Sequence, residues 1–480
     1  MSDASQVHPG KEEPMNRFRL FAALALLVLA ASCDRGTSGP AAEPAAPRVI
    51  LFIGDGMDDQ QITIARNYLV GSRGRLVLDA MPYRGAAQVL TVDEADPRIP
   101  VYVGDSASGG TALATGTATS IGRVSTAAGT DQKLASVMEL ASAAGFATGV
   151  VSSTSITDAT PAAFVAHIDQ RYCQGPSSME LVDKTHPQYS TNCSKDYKSR
   201  GGRGSVAEQI AESGLDLILG GGLRDFDQPV EQGSGTTVLD LARQNGFSII
   251  RNRSDLASIR GQDRTIGLFS DGIMPVKLRG SGGAIAEFVQ REDGRVLWPE
   301  PFACEDNPEF ADVPTLAEMT GAALRRLDGP RGFVLMVESA SIDDQAHYWR
   351  TCGHIGEVGQ LDEALALALD YAATHPETLI LVTADHGHAA QLIPETSELA
   401  PQEHASPGRF ARIRTPEGGI MGVNYSTNDS PDWEEHSGVQ VPVYAAGPGV
   451  RALPPFMHQV DVFGIMLKHL GLGTETAGTH

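Results

Sequence analysis

The chain has 480 residues, with 59 Asp and Glu against 37 Lys and Arg and a formal net charge of -22. That balance excludes nucleic-acid binding through a basic face, and it would repel a phosphorylated substrate unless local cations, such as metal ions held by the acids, reverse the potential at the site. Apolar residues make up 41% of the chain, enough for a large core, and beyond the N-terminal region no run of about 20 of them could span a membrane.

The first 14 residues are polar, and a secretion-signal pattern begins at Met15, where Arg17 and Arg19 precede an apolar core from Leu20 to Ala31. That core is too short for a comfortable membrane span. It leads through Ala30-Ala31-Ser32 into Cys33, which resembles a bacterial lipoprotein processing site with Cys33 as the lipid-carrying N-terminus. An ordinary signal peptide cut near the same place is the alternative. Residues 34–47, rich in Pro, Ala and Gly, read as a flexible tether. The expectation is an exported protein of the periplasm or cell envelope, attached to the membrane where Cys33 carries lipid. Setting Cys33 aside leaves Cys173, Cys193, Cys304 and Cys352, none in a Cys-x-x-Cys pair. An even set in an exported chain favours two disulfides over a metal cluster.

From Arg48 onward strands and helices alternate. Val49 to Ile53 is a buried-strand run; residues 133–144 place Leu134, Val137, Met138 and Ala141 on one helical face before Gly145, and Phe146 to Ser152 follows as a strand. Ser205-Val-Ala-Glu208 is a capping box for a short helix ending at Gly214, and Leu215 to Leu219 is the next strand. Pro314 opens a helix with Leu316, Met319, Ala323 and Leu327 inward, ahead of a strand from Phe333 to Val337. Glu357 to Ala373 reads as helix and Leu379 to Val382 as strand. The alternation predicts one α/β catalytic domain over residues 48–475, a largely parallel central sheet with helices on both faces. Residues 394–432, rich in Pro, Gly, Ser and Asn, read as a loop-rich insertion near the site.

Acids stand where these strands end. The first runs into Gly54-Asp55-Gly56-Met57, the next leads to Asp158-Ala-Thr160-Pro161, the third ends at Glu338 and the fourth at Ala384-Asp385-His386. Ligands bind in the crevice at the carboxyl ends of strands in open α/β sheets, so four strands aim carboxylates at one place. Solvation on loops accounts for any one such acid; for the set, protonation or bound cations account better. Asp343 and His347 lie four apart, on one helical face, and His436 in Trp433-Glu-Glu-His-Ser-Gly438 precedes an apolar run from Val439 to Ala446. Imidazole with carboxylate suits zinc; carboxylates with a threonine hydroxyl suit magnesium. His388 lies close to the site and reads as a supporting residue, whereas His167, His186, His354, His375, His404 and His458 read as core or solvated side chains.

The stretch from Val103 to Gly116 supplies a nucleophile. An apolar run, Ile99 to Val103, leads in, and small residues then wind into a helix, so Ser106 stands near a helix N-terminus where free N–H groups favour an anion. Alone, Asp105 and Ser106 are ordinary capping residues. The acids and histidines elsewhere reverse that reading.

Gly54-Asp55-Gly56-Met57, Asp105-Ser106-Ala107, Asp158-Ala-Thr160-Pro161, Glu338-x-Ala-Ser-Ile-Asp343-x-x-x-His347, Thr383-Ala-Asp385-His386-x-His388 and Glu435-His436 occur in the order and rough spacing of the alkaline phosphatase family, which the chain resembles from about Val49 to Gly449. The resemblance implies that family's three-layer α/β sandwich. It implies one zinc held by Asp343, His347 and His436, and a second by Asp55, Asp385 and His386 beside Ser106. It implies a magnesium at Asp158, Thr160 and Glu338, bridged by Asp55, and Arg171 as the phosphate-clamping arginine. It implies the pairings Cys173 with Cys193 and Cys304 with Cys352, and relatives are often homodimers. Where the enteric bacterial enzyme has lysine after the zinc-binding aspartate, this chain has Asp344, an added acid near Asp158 that is expected to strengthen magnesium binding and remove a phosphate contact.

The expected function is hydrolysis of phosphate monoesters to an alcohol and inorganic phosphate through a phosphoserine, on small phosphorylated substrates whose alcohol stays in solvent. A phosphodiesterase or sulfatase on the same scaffold is the alternative; the magnesium set and the serine nucleophile favour the monoesterase. A lipid-anchored phosphate- or metal-binding protein is the non-enzyme reading, and binding alone needs no nucleophile between two metals.

Overall fold

The computed structural model describes residues 46–184, 189–230, 235–261, 263–293, 295–394 and 407–473. The signal segment, Cys33, most of the tether, His186, His404 and residues 395–406 of the insertion lie outside the described residues.

Strands rich in Val, Ile, Leu and Gly build one ten-stranded sheet. In chain order they are β1 (Arg48–Gly54), β2 (Tyr83–Gln88), β3 (Ala147–Ser155), β4 (Leu217–Gly221), β5 (Phe247–Ile250), β6 (Arg264–Leu268), β7 (Phe333–Ser339), β8 (Thr378–Thr383), β9 (Val441–Ala446) and β10 (Phe456–His458). Their spatial order is β10-β2-β9-β8-β1-β7-β3-β4-β6-β5. β1 pairs in parallel with β7 and β8, and β3 extends the parallel set from β7. β9 runs antiparallel to both of its neighbours. Every residue of β1, β3, β4, β7 and β8 is buried. Successive side chains point to opposite faces, so both faces of the sheet are covered, as a parallel sheet requires.

The helices include α1 (Asp59–Leu69), α2 (Ser106–Thr115), α3 (Val137–Ala143), α4 (Ala159–Ala163), α5 (Val206–Glu212), α6 (Leu316–Leu327), α7 (Ser341–His347), α8 (Thr351–Thr374) and α9 (Asp461–Leu470). Capping boxes open α5 and α6, at Ser205 with Glu208 and Thr315 with Glu318. Two helix starts differ most from the sequence reading. α3 begins only at Val137, because Ser136 takes the cap with Glu139 and leaves Leu134 outside the helix. α8 begins already at Thr351, its first turns held by burial and by the bridge at Cys352. Among the described residues no helix is long and apolar enough to cross a membrane.

Within the stretch read as loop-rich, Arg409–Arg414 and Ile420–Tyr425 form an antiparallel pair in a four-stranded sheet with Glu287–Phe288 and Gln391–Leu392. A second core cluster lies beneath it, including Trp349, Ile413, Val423 and Tyr425. The sulfurs of Cys173 and Cys193 are bonded, as are those of Cys304 and Cys352.

Candidate active site

The chain reaches Ser106 from the surface and not from a central strand. Only Pro100–Val101 of the apolar run pairs, with Thr91–Val92, and Ile99 and Tyr102 are 52% and 67% exposed. Asp105 then caps α2 in a box with Ser108, which leaves Ser106 as the first helical residue, buried to 2% exposure. Its Oγ lies 3.3 Å from His386 Nε2. α2 comes this close because Gly109 abuts the loop after β8: a Cβ there would stand 2.3 Å from the Asp385 carbonyl oxygen.

The parallel strands deliver the acids. Asp55 follows β1, and the backbone N–H of Gly56 donates to Asp385 Oδ1 at 3.1 Å. Gly56 has φ +64, and a Cβ there would come within 2.9 Å of Asp343 Oδ1, so glycine lets β1 turn beneath α7. Asp385 and His386 follow β8, and His386 Nε2 lies 3.2 Å from Asp55 Oδ1. α7 contributes Asp343 and His347, with 3.0 Å between Asp343 Oδ2 and His347 Nε2. His436 Nε2 is 3.0 Å from His347 Nε2 and 3.5 Å from Asp343 Oδ1.

Two donor groups result, Asp55 with Asp385 and His386, and Asp343 with His347, His388 and His436; in each, all donor atoms lie within 4.8 Å of one another. Hydrogen bonds assign the tautomers. The Nδ1 atoms of His347, His436 and His386 face the carbonyls of Glu434, Gly104 and Gly387, so each donates there and turns a bare Nε2 lone pair inward. Two such lone pairs 3.0 Å apart repel unless a cation lies between them. His388 differs. Its Nδ1 accepts from the Ala389 N–H, so its Nε2 carries the proton and lies 3.4 Å from Asp343 Oδ1 without a hydrogen bond to it. Asp55 Oδ1, Asp343 Oδ1 and Glu338 Oε1 are buried with no hydrogen-bond partner. Anionic oxygens and imidazole lone pairs converging on the same points fit metal ions.

In the third set Thr160 and Glu338 are buried and Asp158 is half-buried. Asp158 caps α4, receiving the Ala159 N–H at 2.8 Å, and Thr160 Oγ1 lies 3.4 Å from Asp385 Oδ2. Ser152 donates to Glu338 Oε2 at 2.5 Å. Burial, then Asp385 and Asp158, push the Glu338 carboxyl up to about 8. Burial, then Asp385 and Asp343, push Asp55 well above its usual range. These acids repel one another, and a cation among them removes that cost.

Arg171 reaches in from the loop after α4, donating to Asp105 Oδ2 at 3.1 Å and Asp158 Oδ1 at 3.2 Å. Burial opposes ionisation of Asp105, but Arg171 and the amides of Ser108 and Gly122 outweigh it and hold its carboxyl low. Asp55, Ser106, Asp158, Arg171, Asp343, His347 and His436 line a cleft of about 1100 Å³, whose walls also carry Asp344, Tyr172, Tyr189 and Trp433. Asp344 receives a hydrogen bond from Gln345 at 2.8 Å, and burial, then Asp343, raise its carboxyl above the usual range. Asp169, Cys193 and Asp196 also cluster, but the Cys193 sulfur is taken by its disulfide. The sequence reading missed Ser152 and Glu434; serine beside a run of Ser and Thr, and a Glu-Glu pair before histidine, are the only signals they leave.

Comparison with known proteins bears on this arrangement. The alkaline phosphatase family profile matches residues 46–412. The chain is 41% identical to streptomycin-6-phosphate phosphatase of Streptomyces griseus, over 93% of this chain and 96% of that one. It is 37% identical to alkaline phosphatase of Escherichia coli, over 89% of this chain and 86% of that one. The fold is similar to the solved alkaline phosphatase of the Antarctic bacterium TAB5, with TM-score 0.63, 23% identity and coverage of 90% of this chain and 99% of that one. It is also similar to that of Thermus thermophilus, with TM-score 0.62, 22% identity and coverage of 92% and 96%. With the family profile spanning most of its length, the chain belongs to the alkaline phosphatase family of phosphoric monoester hydrolases.

Proposed function

We propose that the chain hydrolyses phosphate monoesters through a phosphoserine at Ser106, with two zinc ions and one magnesium. The observation that carries this is the buried Ser106 hydroxyl at the start of α2, set 3.3 Å from His386 in a cleft that members of both donor groups line. Asp343, His347 and His436 would hold one zinc, Asp55, Asp385 and His386 the other, and Asp158, Thr160 and Glu338 the magnesium. When bound, the ions supply charge neutralisation, lower the pKa of hydroxyl and water, and stabilise the leaving oxygen.

Arg171 binds two equatorial phosphate oxygens with its planar fork, aimed by Asp105 and Asp158. The free amides of the first turn of α2 favour an anionic oxygen on Ser106. Ser106 Oγ attacks phosphorus in line; its bond to phosphorus forms as the ester P–O bond breaks, and the proton leaves with the alcohol. Water then attacks the phosphoserine, inorganic phosphate departs, and the serine hydroxyl is restored. Two in-line displacements give net retention at phosphorus. The breadth of the cleft and the likeness to a streptomycin-6-phosphate phosphatase support a bulky alcohol as leaving group. Export to the periplasm or cell envelope, expected from residues 15–33, fits the two disulfides.

Turnover of an aryl phosphate and of its diester, by the native protein and by Ser106→Ala, tests the reading. Rapid monoester turnover, little diester turnover and a dead Ser106→Ala are expected. Faster diester turnover, or an active Ser106→Ala, overturns it.

A further inference from the structure

His347 is gripped by one short loop. Its ring stacks on Trp433, with centroids 3.5 Å apart, and its Nδ1 donates to the Glu434 carbonyl. The Glu434 N–H in turn donates to the His347 carbonyl at 3.1 Å. His436 stands two residues further on, so the same loop carries a second imidazole of the group.

Glu434 is buried, at 2% exposure. Its Oε1 accepts from the N–H and hydroxyl of Thr427, at 2.6 and 2.5 Å, and its Oε2 accepts from the Trp349 indole N–H at 2.8 Å. All three donors are neutral. Trp349 lies two residues past His347 and holds φ +58, a left-handed conformation costly for a bulky residue. The Arg409 guanidinium covers its ring, 3.8 Å from the centroid, and also donates to the Pro431 carbonyl at 3.0 Å. A buried carboxylate thus ties the end of α7 to the loop before His436, with the Arg409–Arg414 strand as backing.

We propose that Glu434 is a positioning residue that, through Trp349 and its own main chain, locks His347 and His436 in the orientation that holds a zinc ion. It touches neither metal nor substrate. The inference rests on reading Asp343, His347 and His436 as a metal set. Outer partners of this kind set ring orientation, and losing one typically lowers metal affinity about 10- to 100-fold.

The test uses Glu434→Gln and Trp349→Phe, singly and together, in the full-length protein. Glu434→Gln keeps the side-chain volume, and Trp349→Phe keeps a ring for Arg409 while deleting the indole N–H. Zinc affinity, read by competition with a chromophoric chelator, is expected to fall about 10- to 100-fold in each variant, and no further in the pair. Excess zinc should restore aryl phosphate turnover. The chelated Trp349→Phe protein leaves Glu434 Oε2 without its donor and should melt below the chelated native protein, so zinc affinity, which a purely structural acid would not move, is the deciding readout. Native zinc affinity in both variants, with lowered melting of the chelated proteins, would make Glu434 a purely structural acid and overturn the proposal. A native protein that takes up no zinc would instead remove the metal reading beneath it.

Discussion

On the proposed reading, Arg171 serves both structure and chemistry. Its two terminal nitrogens are engaged by Asp105 and Asp158, which fixes the plane of the fork before any phosphate arrives. Arg171→Ala removes the fork and leaves two carboxylates facing each other, so kcat/KM for an aryl phosphate should fall about 10²–10³-fold. Arg171→Lys should recover little, since an ammonium is a point charge without bidentate geometry. Inhibition by inorganic phosphate should weaken in parallel, and unchanged kinetics in both variants would remove Arg171 from the site. Asp344 belongs to the same scale. It and Asp158 line one cleft, and its carboxylate adds repulsion to any phosphate that enters. Asp344→Lys should tighten phosphate inhibition and raise the magnesium concentration needed for full activity; a titration of each measures both.

Helices transmit the geometry, and two of them carry predictions. α2 approaches the Asp385 loop only because position 109 lacks a Cβ. Gly109→Ala should cost about 1–3 kcal/mol by overpacking and should also displace Ser106 from His386, so activity should fall more than thermal stability does. α8 buries His354 completely, with its Nε2 2.9 Å from the Tyr425 hydroxyl. Burial lowers its pKa to about 3. The unfolded chain takes up that proton near pH 6.5 and the folded chain does not, so stability is full above pH 6.5 and is lost as pH falls towards 3. Between pH 6.5 and pH 5 the loss is about 2 kcal/mol by the usual conversion of 1.36 kcal/mol per unit. Urea unfolding of the chelated protein at both pH values should show a slope that is flatter in His354→Gln; equal slopes would mean that His354 titrates normally.

The strand-end acids were legible in the sequence because metal and phosphate chemistry restricts residue type whatever the packing. Asp55, Asp343, Asp385 and His386, spread over more than three hundred positions, meet within a few ångströms for that reason. The parallel strands were legible as continuous apolar runs. Less so were features whose cause is tertiary: Ser136 displacing the start of α3, the strand pair at 409–425 covered by a distant core cluster, and Glu434, whose partners Thr427 and Trp349 only the fold brings together. His388 lay between these cases, since type and position flagged it but only the Ala389 N–H reveals which nitrogen carries the proton. The convergence has a consequence for the molecule as a whole. Buried, mutually repelling acids make the metal-free state expensive, so bound cations should stabilise the native fold by mass action, about 4 kcal/mol for each site loaded at a thousand times its Kd. At roughly 2–4 °C per kcal/mol, stripping the sites should lower Tm by about 10 °C or more. Calorimetry with and without a strong chelator measures this, and zinc followed by magnesium should restore both Tm and turnover. Full activity and an unchanged Tm after prolonged chelation would mean that protons, on Asp55 and Glu338 and on the His386 ring whose pKa the surrounding acids raise, hold the cluster together without metal.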